Sequence, residues 1–382
     1  MRLAAVIHPL LLACALVCSS GLCAAGAEPG ITAGEILIGQ NITLQGGRNA
    51  YGVEVLAGIR TLFDETNRTG GVNGRLIMLR TLDDDNKAAT AEANARTLVK
   101  EGVFLVFGSI EGGPSTAVMK ATQELKVPFF GPMAGSPTLR RPHQPLVFPV
   151  RAEHREEFRA LIRYAMSIGL KRVAFFHSDS EVGLQHLANI KLAAADAGAE
   201  FAVALPIKAD LDDAQLDAMV RQLRQQRADV VINHGSTSAY ERLIRKARKA
   251  GLPTTFLAVN SGSTQLAAAL GPLAQGMVFA QVVPNPWARK TAIAREYQEA
   301  FSRVHPGREL SYGSLEGYLT AKALVAALRQ AGGQPSRGAF VKALEKSDLD
   351  LGGVKLHYRP GDHAGSTFVD LALVTREGKF LQ

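Results

Sequence analysis

The chain has three cysteines, Cys14, Cys18 and Cys23, and all of them lie within its first 27 residues. Once that segment is removed there is no disulfide framework and no thiol chemistry. A chain of this size can dispense with such staples even in an oxidising compartment, because its cores suffice. Several motifs are also missing. There is no Walker A loop, no dinucleotide fingerprint after the first strand, no nucleophile elbow and no HExxH helix. The nine histidines are dispersed, and none pairs with another at a metal-ligand spacing on one helix. The sequence contains no repeat, low-complexity tract or long linker. Aromatic residues make up 6%, and none interleaves with the densest basic run, "RLIRKARKAG" from Arg242 to Gly251. That run reads as a solvated helix face, and the chain as one that takes no nucleic acid.

What is present is ordinary globular material. The 382 residues are 47% hydrophobic and 20% charged, enough for about two domains. Forty-three Lys and Arg against 35 Asp and Glu give a net charge of +8, which falls to +7 when Arg2 leaves with the leader. The opening "MRLAAVIHPLLLACALVCSSGLCAAGAEPG" has a basic start, an apolar run from Leu10 to Val17 and a small-residue end at Ala25-Gly26-Ala27. This is the pattern of a signal peptide over residues 1–27, hence of export. Ser19, Ser20 and Gly21 cut the apolar run below the about 20 residues that a membrane span needs. A looser alternative is lipidation at Cys14, which ends "LLAC".

From Glu35 onward short apolar runs alternate with amphipathic windows. "EILIGQ", "LIMLRTL", "VFLVFG", "VPFF", "RVAFFH", "FAVALP", "DVVIN", "TTFLAV" and "GMVFAQ" read as strands, mostly too apolar for a half-exposed sheet. Helical spacing predicts one helix over about Gly52 to Asn67 and another from about Asp213 to Gln225. Alternation of this kind predicts parallel sheets covered on both faces, and so many units predict two such sheets. After Pro284 come three helical windows, about Ala288 to Val304, Gly313 to Ala331 and Arg337 to Glu345. Two strand-like runs follow, "GGVKLHY" and "TFVDLALV", separated by the turn "RPGDHAGS". The passages "FPVRAEH" near Arg151 and "VVPNPW" near Pro284 suit crossings between lobes.

One strand exit stands out. "FGSIEGGPSTAV" leaves an apolar run and enters a helix, with Pro114 suited to the first helical position and Gly112 and Gly113 leaving the backbone open. In open parallel sheets ligands sit at such exits, where helix N-termini present unpaired N–H groups. On these residues alone the stretch reads either as a cradle for an anion or carbonyl, using the N–H groups of Ser115 and Thr116, or as a tight turn and helix cap. The "LDDDN" group from Leu82 to Asn86 reads as a strand exit capped by Asp85 or Asn86, with a cation site as the alternative.

Taken in order, "ILIGQNITLQGGRNAYG", "ETNRTGGVNGRLIMLRTLDDDNKAATAEANARTLV", "VFGSIEGGPSTAV", "VPFFGPMAGSPTLRRP", "VFPVRAEH", "SLEGYLTAKALVAALRQAG" and "HAGSTFVDLALV" resemble the type I periplasmic solute-binding proteins of the leucine/isoleucine/valine-binding family, which feed ABC importers. The resemblance spans essentially the whole chain after the leader. It implies an α/β fold of two Rossmann-like lobes, parallel sheets flanked by helices, joined by a three-crossing hinge. Residues 28–150 plus 283–360 would form one lobe and 151–282 plus 361–382 the other, with crossings near Arg151, near Gln281 and around Pro360 to Ser366. The lobes would close on a ligand by hinge bending.

Carried over by motif, the first-lobe ligand contacts implied are Gln45, Tyr51, the loop Glu111, Gly112, Gly113 and Ser115, and Ala134, Gly135 and Ser136. In the second lobe, Val182 and Ser236 stand where a cleft tyrosine is expected. Asn260 stands at the place of the acid that reads an amino acid's ammonium. An amide neutralises no ammonium, so either Glu111 or Asp179 would have to substitute. Arg151 reads equally as a bidentate carboxylate partner or as a hinge salt bridge. His154 reads as a helix-start surface residue ahead of a ligand contact, and Glu316 as a structural acid bonding backbone near a crossing.

The resemblance implies a periplasmic, monomeric, non-enzymatic protein without a cofactor. Its partners would be a small-molecule ligand, an amino acid or carboxylate, and an ABC permease in the inner membrane. A sensor's ligand-binding component of the same fold is the alternative, and an exported enzyme is the third reading.

Overall fold

The computed structural model describes residues 28–208 and 210–381, so the leader expected over residues 1–27 lies outside the described residues. The chain opens with β1 (Glu35–Ile42), α1 (Ala50–Arg68), β2 (Leu76–Asp83), α2 (Ala88–Lys100), β3 (Leu105–Phe107), α3 (Gly112–Glu124), β4 (Phe129–Phe130) and β5 (Val147–Phe148). These five strands form one sheet in the order β2-β1-β3-β4-β5, parallel throughout. Its central strand β3 is wholly buried, as the apolar run around Leu105 requires, whereas the edge strand β2 alternates exposed and covered residues over its first half.

The chain continues through α4 (His154–Ser167), β6 (Arg172–Ser178), α5 (Glu181–Asp196), β7 (Glu200–Ile207), α6 (Asp213–Gln225), β8 (Val230–His234), α7 (Thr237–Lys249), β9 (Thr255–Ala258), α8 (Ser263–Leu270) and β10 (Val278–Gln281). It returns to the first sheet with α9 (Ala292–Val304), α10 (Tyr312–Gln330) and α11 (Arg337–Glu345), then forms a three-stranded antiparallel sheet from β11 (Asp348–Asp350), β12 (Lys355–Arg359) and β13 (Asp362–Gly365). Finally β14 (Asp370–Val374) and β15 (Phe380–Leu381) join the second sheet, whose order is β15-β14-β10-β9-β8-β6-β7. The sequence led to an expectation of parallel sheets. This one is parallel only from β7 to β10, and the last two strands add antiparallel to its edge. The passage expected to be a plain turn, "RPGDHAGS", holds β13, which pairs with β12 through His357 and Arg359.

Apolar layers cover both faces of both sheets. In the first lobe, Leu98, Val118 and Met119 of α2 and α3 pack on Val106 and Phe129, while Phe63 and Phe340 of α1 and α11 meet Phe107 and Phe130 on the other face. In the second, Phe158 and Leu161 of α4 pack on Phe175 and Ile232. Leu216, Leu243 and Ile244 of α6 and α7 cover the opposite face. The basic run on α7 is a solvated face: Arg242 and Lys246 pair with Asp213 and Asp217 of α6. No helix among the described residues is long and apolar enough to cross a membrane.

Helices α1 and α10 approach so closely that a Cβ at Gly58 would lie 1.8 Å from the Ser314 carbonyl oxygen. Gly58→Ala should therefore push the two helices apart and cost roughly 1–3 kcal/mol. A lowered urea midpoint with unchanged slope would show it; an unchanged midpoint would mean that α1 and α10 are free to shift.

Candidate functional site

The loops at the carboxyl ends of the two sheets face each other across a cleft of about 580 Å³. Gln45, Tyr51, Glu111, Gly112, Ala134 and Ser136 line its first-lobe side, and Ser236 lines the second. The sequence had pointed to all seven. The first loop is held open by Asp83, whose carboxylate accepts from the backbone N–H groups of Leu44, Gln45, Gly46 and Asp85 at 2.9–3.1 Å. Burial opposes the charge, but these donors hold the Asp83 carboxyl below its ordinary value. The acidic "LDDDN" group thus anchors two loops. Helix α2 is capped by neither Asp85 nor Asn86, because its N-cap is Lys87, with no side-chain bond.

The strand exit at Gly108 builds the next wall. Helix α3 begins at Gly112, two residues ahead of the proline expected to open it, so the free donors are the N–H groups of Gly112 and Gly113. The N–H of Ser115, expected to face a ligand, instead bonds the Glu111 carbonyl inside the helix at 3.1 Å. The Ser115 hydroxyl is buried and donates to Ser109 Oγ at 3.1 Å. Gly113 has open space where a side chain would be, and a Cβ on Gly112 would touch Val182 of the opposite lobe at 3.6 Å. Burial raises the Glu111 carboxyl above its ordinary value and Asp84 adds repulsion, although the side chain still reaches solvent through the cleft.

Arg151 and Asn260 sit behind the cleft. The Arg151 guanidinium, 2% exposed, pairs with Glu157 of α4, donates to Asn260 Oδ1 at 2.8 Å and lies 3.6 Å from Glu316 Oε1 of α10. Asn260 donates from Nδ2 to Glu316 Oε2 at 3.0 Å, and its backbone N–H meets Glu157 Oε2 at 2.9 Å. Tyr51 donates its hydroxyl to the same Glu316 oxygen at 2.7 Å. Glu316 therefore bonds side chains here, where a backbone partner had been expected. Burial alone would lower the Arg151 pKa, but Glu157, Glu316 and Tyr51 more than offset it, and the guanidinium stays charged. Asp179 is exposed beyond the end of β6 and lines no part of the cleft.

His154 is buried rather than on the surface. Its N–H meets the Gly135 carbonyl at 3.1 Å, and a Cβ on Gly135 would strike its ring at 2.6 Å, so the glycine makes room for the imidazole. Two further histidines, which sequence spacing did not single out, join it on the second-lobe wall: His186 of α5 and His234 at the end of β8. The His154 and His234 ring centroids are 4.2 Å apart and those of His186 and His234 3.9 Å. Burial holds all three below the ordinary imidazole value, His234 at about 4. Asn233, Thr237 and Gln265 complete this wall. The only signal in the sequence for most of these positions is that they lie at strand exits and helix starts; His186, within α5, has none.

The comparisons agree with this geometry. A family model described as periplasmic binding protein matches residues 35–379. The chain belongs to that family. It is a type I periplasmic binding protein of the leucine/isoleucine/valine-binding group, and the family carries a solute-binding role and implies a periplasmic location. A Leu/Ile/Val-binding protein homolog of Brucella melitensis is 25% identical over 312 residues, covering 81% of this chain and 83% of that protein. The crystal structure of a possible leucine/isoleucine/valine-binding protein from Rhodopirellula baltica superposes with a TM-score of 0.83 at 28% identity, over 92% of this chain and 97% of that one. A fatty acid ABC transporter substrate-binding protein from Thermomonospora curvata shares the fold, with a TM-score of 0.80 at 21% identity over 93% and 92%.

The network explains the amide at position 260. A carboxylate there would put a third negative charge beside Glu157 and Glu316 with a single guanidinium between them, and would forfeit the bond to Glu316. Asn260→Asp should cost about 1–3 kcal/mol near neutral pH. The introduced acid's pKa would be raised in the folded state, so the deficit should shrink as pH falls from about 8 to about 5. Urea unfolding at both pH values tests this; an equal deficit at both would mean that the lost amide bond, not charge, is responsible.

Proposed function

We propose that this binding protein captures a small carboxylate-bearing solute without an amino group in its cleft and delivers it to an ABC permease in the inner membrane, with no chemical change to the solute. The observation that carries the reading is electrostatic. The N-termini of α1, α3, α4, α7 and α8 converge on the cleft, at Ala50, Gly112, His154, Thr237 and Gly262. Each brings the positive end of a helix dipole, and α3 adds the free N–H groups of Gly112 and Gly113, an environment that favours an anion. Arg48 adds a positive charge, and Glu111 is the one carboxylate among the lining residues. The second-lobe wall has no acid to meet an ammonium, because Asn260 is neutral and Asp179 lies elsewhere. Names among the relatives span branched-chain amino acids and fatty acids, and a carboxylate is common to both classes.

Closure would turn the body built on the five-stranded sheet against that built on the seven-stranded sheet, about crossings near Arg151, Val283 and Ser366.

Thermal-shift screening of the chain from Glu28, refolded to strip any carried-over ligand, should show stabilisation by amine-free carboxylic acids. At about 100 times the dissociation constant this amounts to about 2.7 kcal/mol. A shift with leucine-like amino acids alone would overturn the choice of ligand. Gly112→Pro probes the cradle itself. Proline fits the first helical position and removes one donor, so the helix should persist while affinity for the acid falls roughly tenfold, the loss of one charge-assisted bond. Unchanged affinity would place the carboxylate elsewhere.

A further inference from the structure

We propose that His154, His186 and His234 form a site for a divalent transition-metal ion on the second-lobe wall of the cleft, with one coordination position left open toward the solute. The three residues come from the first turn of α4, from the middle of α5 and from the last position of β8, so rigid elements rather than loops present them. One ring nitrogen from each lies within 4.8 Å of the others. Metal–nitrogen bonds of about 2.0–2.1 Å in tetrahedral geometry would place the nitrogens about 3.3 Å apart, so the rings need to draw in by about 1.5 Å at most. All three line the cleft, which leaves the fourth side of such an ion facing it.

Two features of the surroundings fit a metal better than a packed cluster of rings. The first is His186, which is 1% exposed yet has no hydrogen-bond partner at either Nδ1 or Nε2, the only histidine among the described residues with both nitrogens in that condition. Leaving buried polar atoms unpaired is costly, and an ion drawn to one of them would remove part of that cost. The second is His154, whose Nδ1 pairs with Glu157 Oε1 at 2.8 Å. A carboxylate behind an imidazole fixes the ring's tautomer and orientation and leaves Nε2 as the ligand, as at many metal-binding histidines. Glu157 and Glu316 are balanced in formal charge by Arg151 and by the buried Arg140, which also faces His154, so the case for an ion rests on the nitrogen donors and not on net charge.

Phe158 packs on the far side, with its ring centroid 5.8 Å from that of His186 and 6.0 Å from that of His234. Three imidazoles suit zinc, nickel or copper and not calcium or magnesium, which require oxygen ligands. With an ion in place, the open position would accept a carboxylate or hydroxyl oxygen of the solute.

The test uses the mature chain after EDTA treatment and desalting, with zinc in equilibrium dialysis and cobalt as the spectroscopic probe. One zinc per chain is expected, together with a cobalt absorption band of tetrahedral intensity that zinc displaces. His186→Ala and His234→Gln should each abolish the band, while His357→Ala, an exposed histidine paired with Asp348, should leave it unchanged. Glu157→Gln should weaken zinc by about 10-fold to about 100-fold, as expected for a group that orients a ligand. Far-ultraviolet circular dichroism identifies any variant that fails to fold, and His234→Gln, at the half-buried rim, is the variant least exposed to that risk. Wild-type protein without stoichiometric zinc, or zinc bound equally by wild type and folded His234→Gln, would overturn the site. Carboxylic-acid binding measured in EDTA is a separate readout and tests the solute reading whether or not the metal binds.

Discussion

A single buried guanidinium holds the two lobes in register. Arg151 lies where the chain first leaves the five-stranded sheet, and it gathers Glu157 and Asn260 from one lobe and Glu316 from the other. An isolated buried charge would be prohibitively unfavourable, so neither the arginine nor either acid is tolerable without the others. Burial raises both carboxyls despite the arginine, which shows that the arrangement is costly as well as cohesive. Its benefit is geometric. Charges contributed from both sides of the hinge meet at one point, and the angle between the lobes is defined around that point.

The surrounding backbone is tied to the same place. Arg140 reaches the carbonyls of Ala134 and Ser136 in the cleft loop and those of Arg151 and Ala364 at two crossings, at 2.9–3.3 Å. Tyr358 donates to the Pro149 carbonyl at 2.8 Å, and the N–H of Ser366 donates to the Val150 carbonyl at 3.0 Å. One side chain thus links the ligand-facing loop to the hinge, so movement at the crossings and the position of Ala134 and Ser136 are not independent. Side chains given over to this network are unavailable to a ligand. Arg151, Glu157 and Glu316 are therefore withheld from the cleft, whose charged lining is limited to Arg48 and Glu111 beside small hydroxyls and imidazoles.

The alternation of apolar runs and amphipathic windows was enough to read two sheets, their covering helices and the strand exits from the sequence, because burial on both faces imposes that pattern locally. The ends of elements were less legible. Helix α3 starts at Gly112, ahead of Pro114, and β13 hides in a stretch rich in turn residues, since its partner β12 supplies the pairing that its own composition does not. The cleft was legible where motif order carried it, at Gln45, Tyr51, Glu111 and Ser136. It was not legible for the histidines. His154, His186 and His234 are far apart in the chain and share no spacing; only the packing of α4 and α5 against β8 brings their rings together. Arg151 illustrates a different limit. Its type and position fit a ligand partner and a hinge ion pair equally, and only the two acids around it in space decide between them.

The strand exit that attracted notice in the sequence also has a cost in the structure. Ser109 and Glu111, neither of them glycine, adopt φ of 76° and 67°. Left-handed backbone at such residues costs about 1–3 kcal/mol each and persists only where its surroundings impose it. Here the constraint comes from the lobe's interior. The Ser109 carbonyl accepts the N–H of Met133 at 2.8 Å, Ile110 bridges to Met133 as in a parallel sheet, and the buried Ser115 hydroxyl bonds Ser109. The double reversal turns the first N–H groups of α3 toward the cleft, where a relaxed turn would leave the helix start on a different heading. Ser115, which looked like a ligand contact, therefore acts one layer back with Ser109: the pair holds a strained loop whose backbone faces the solute.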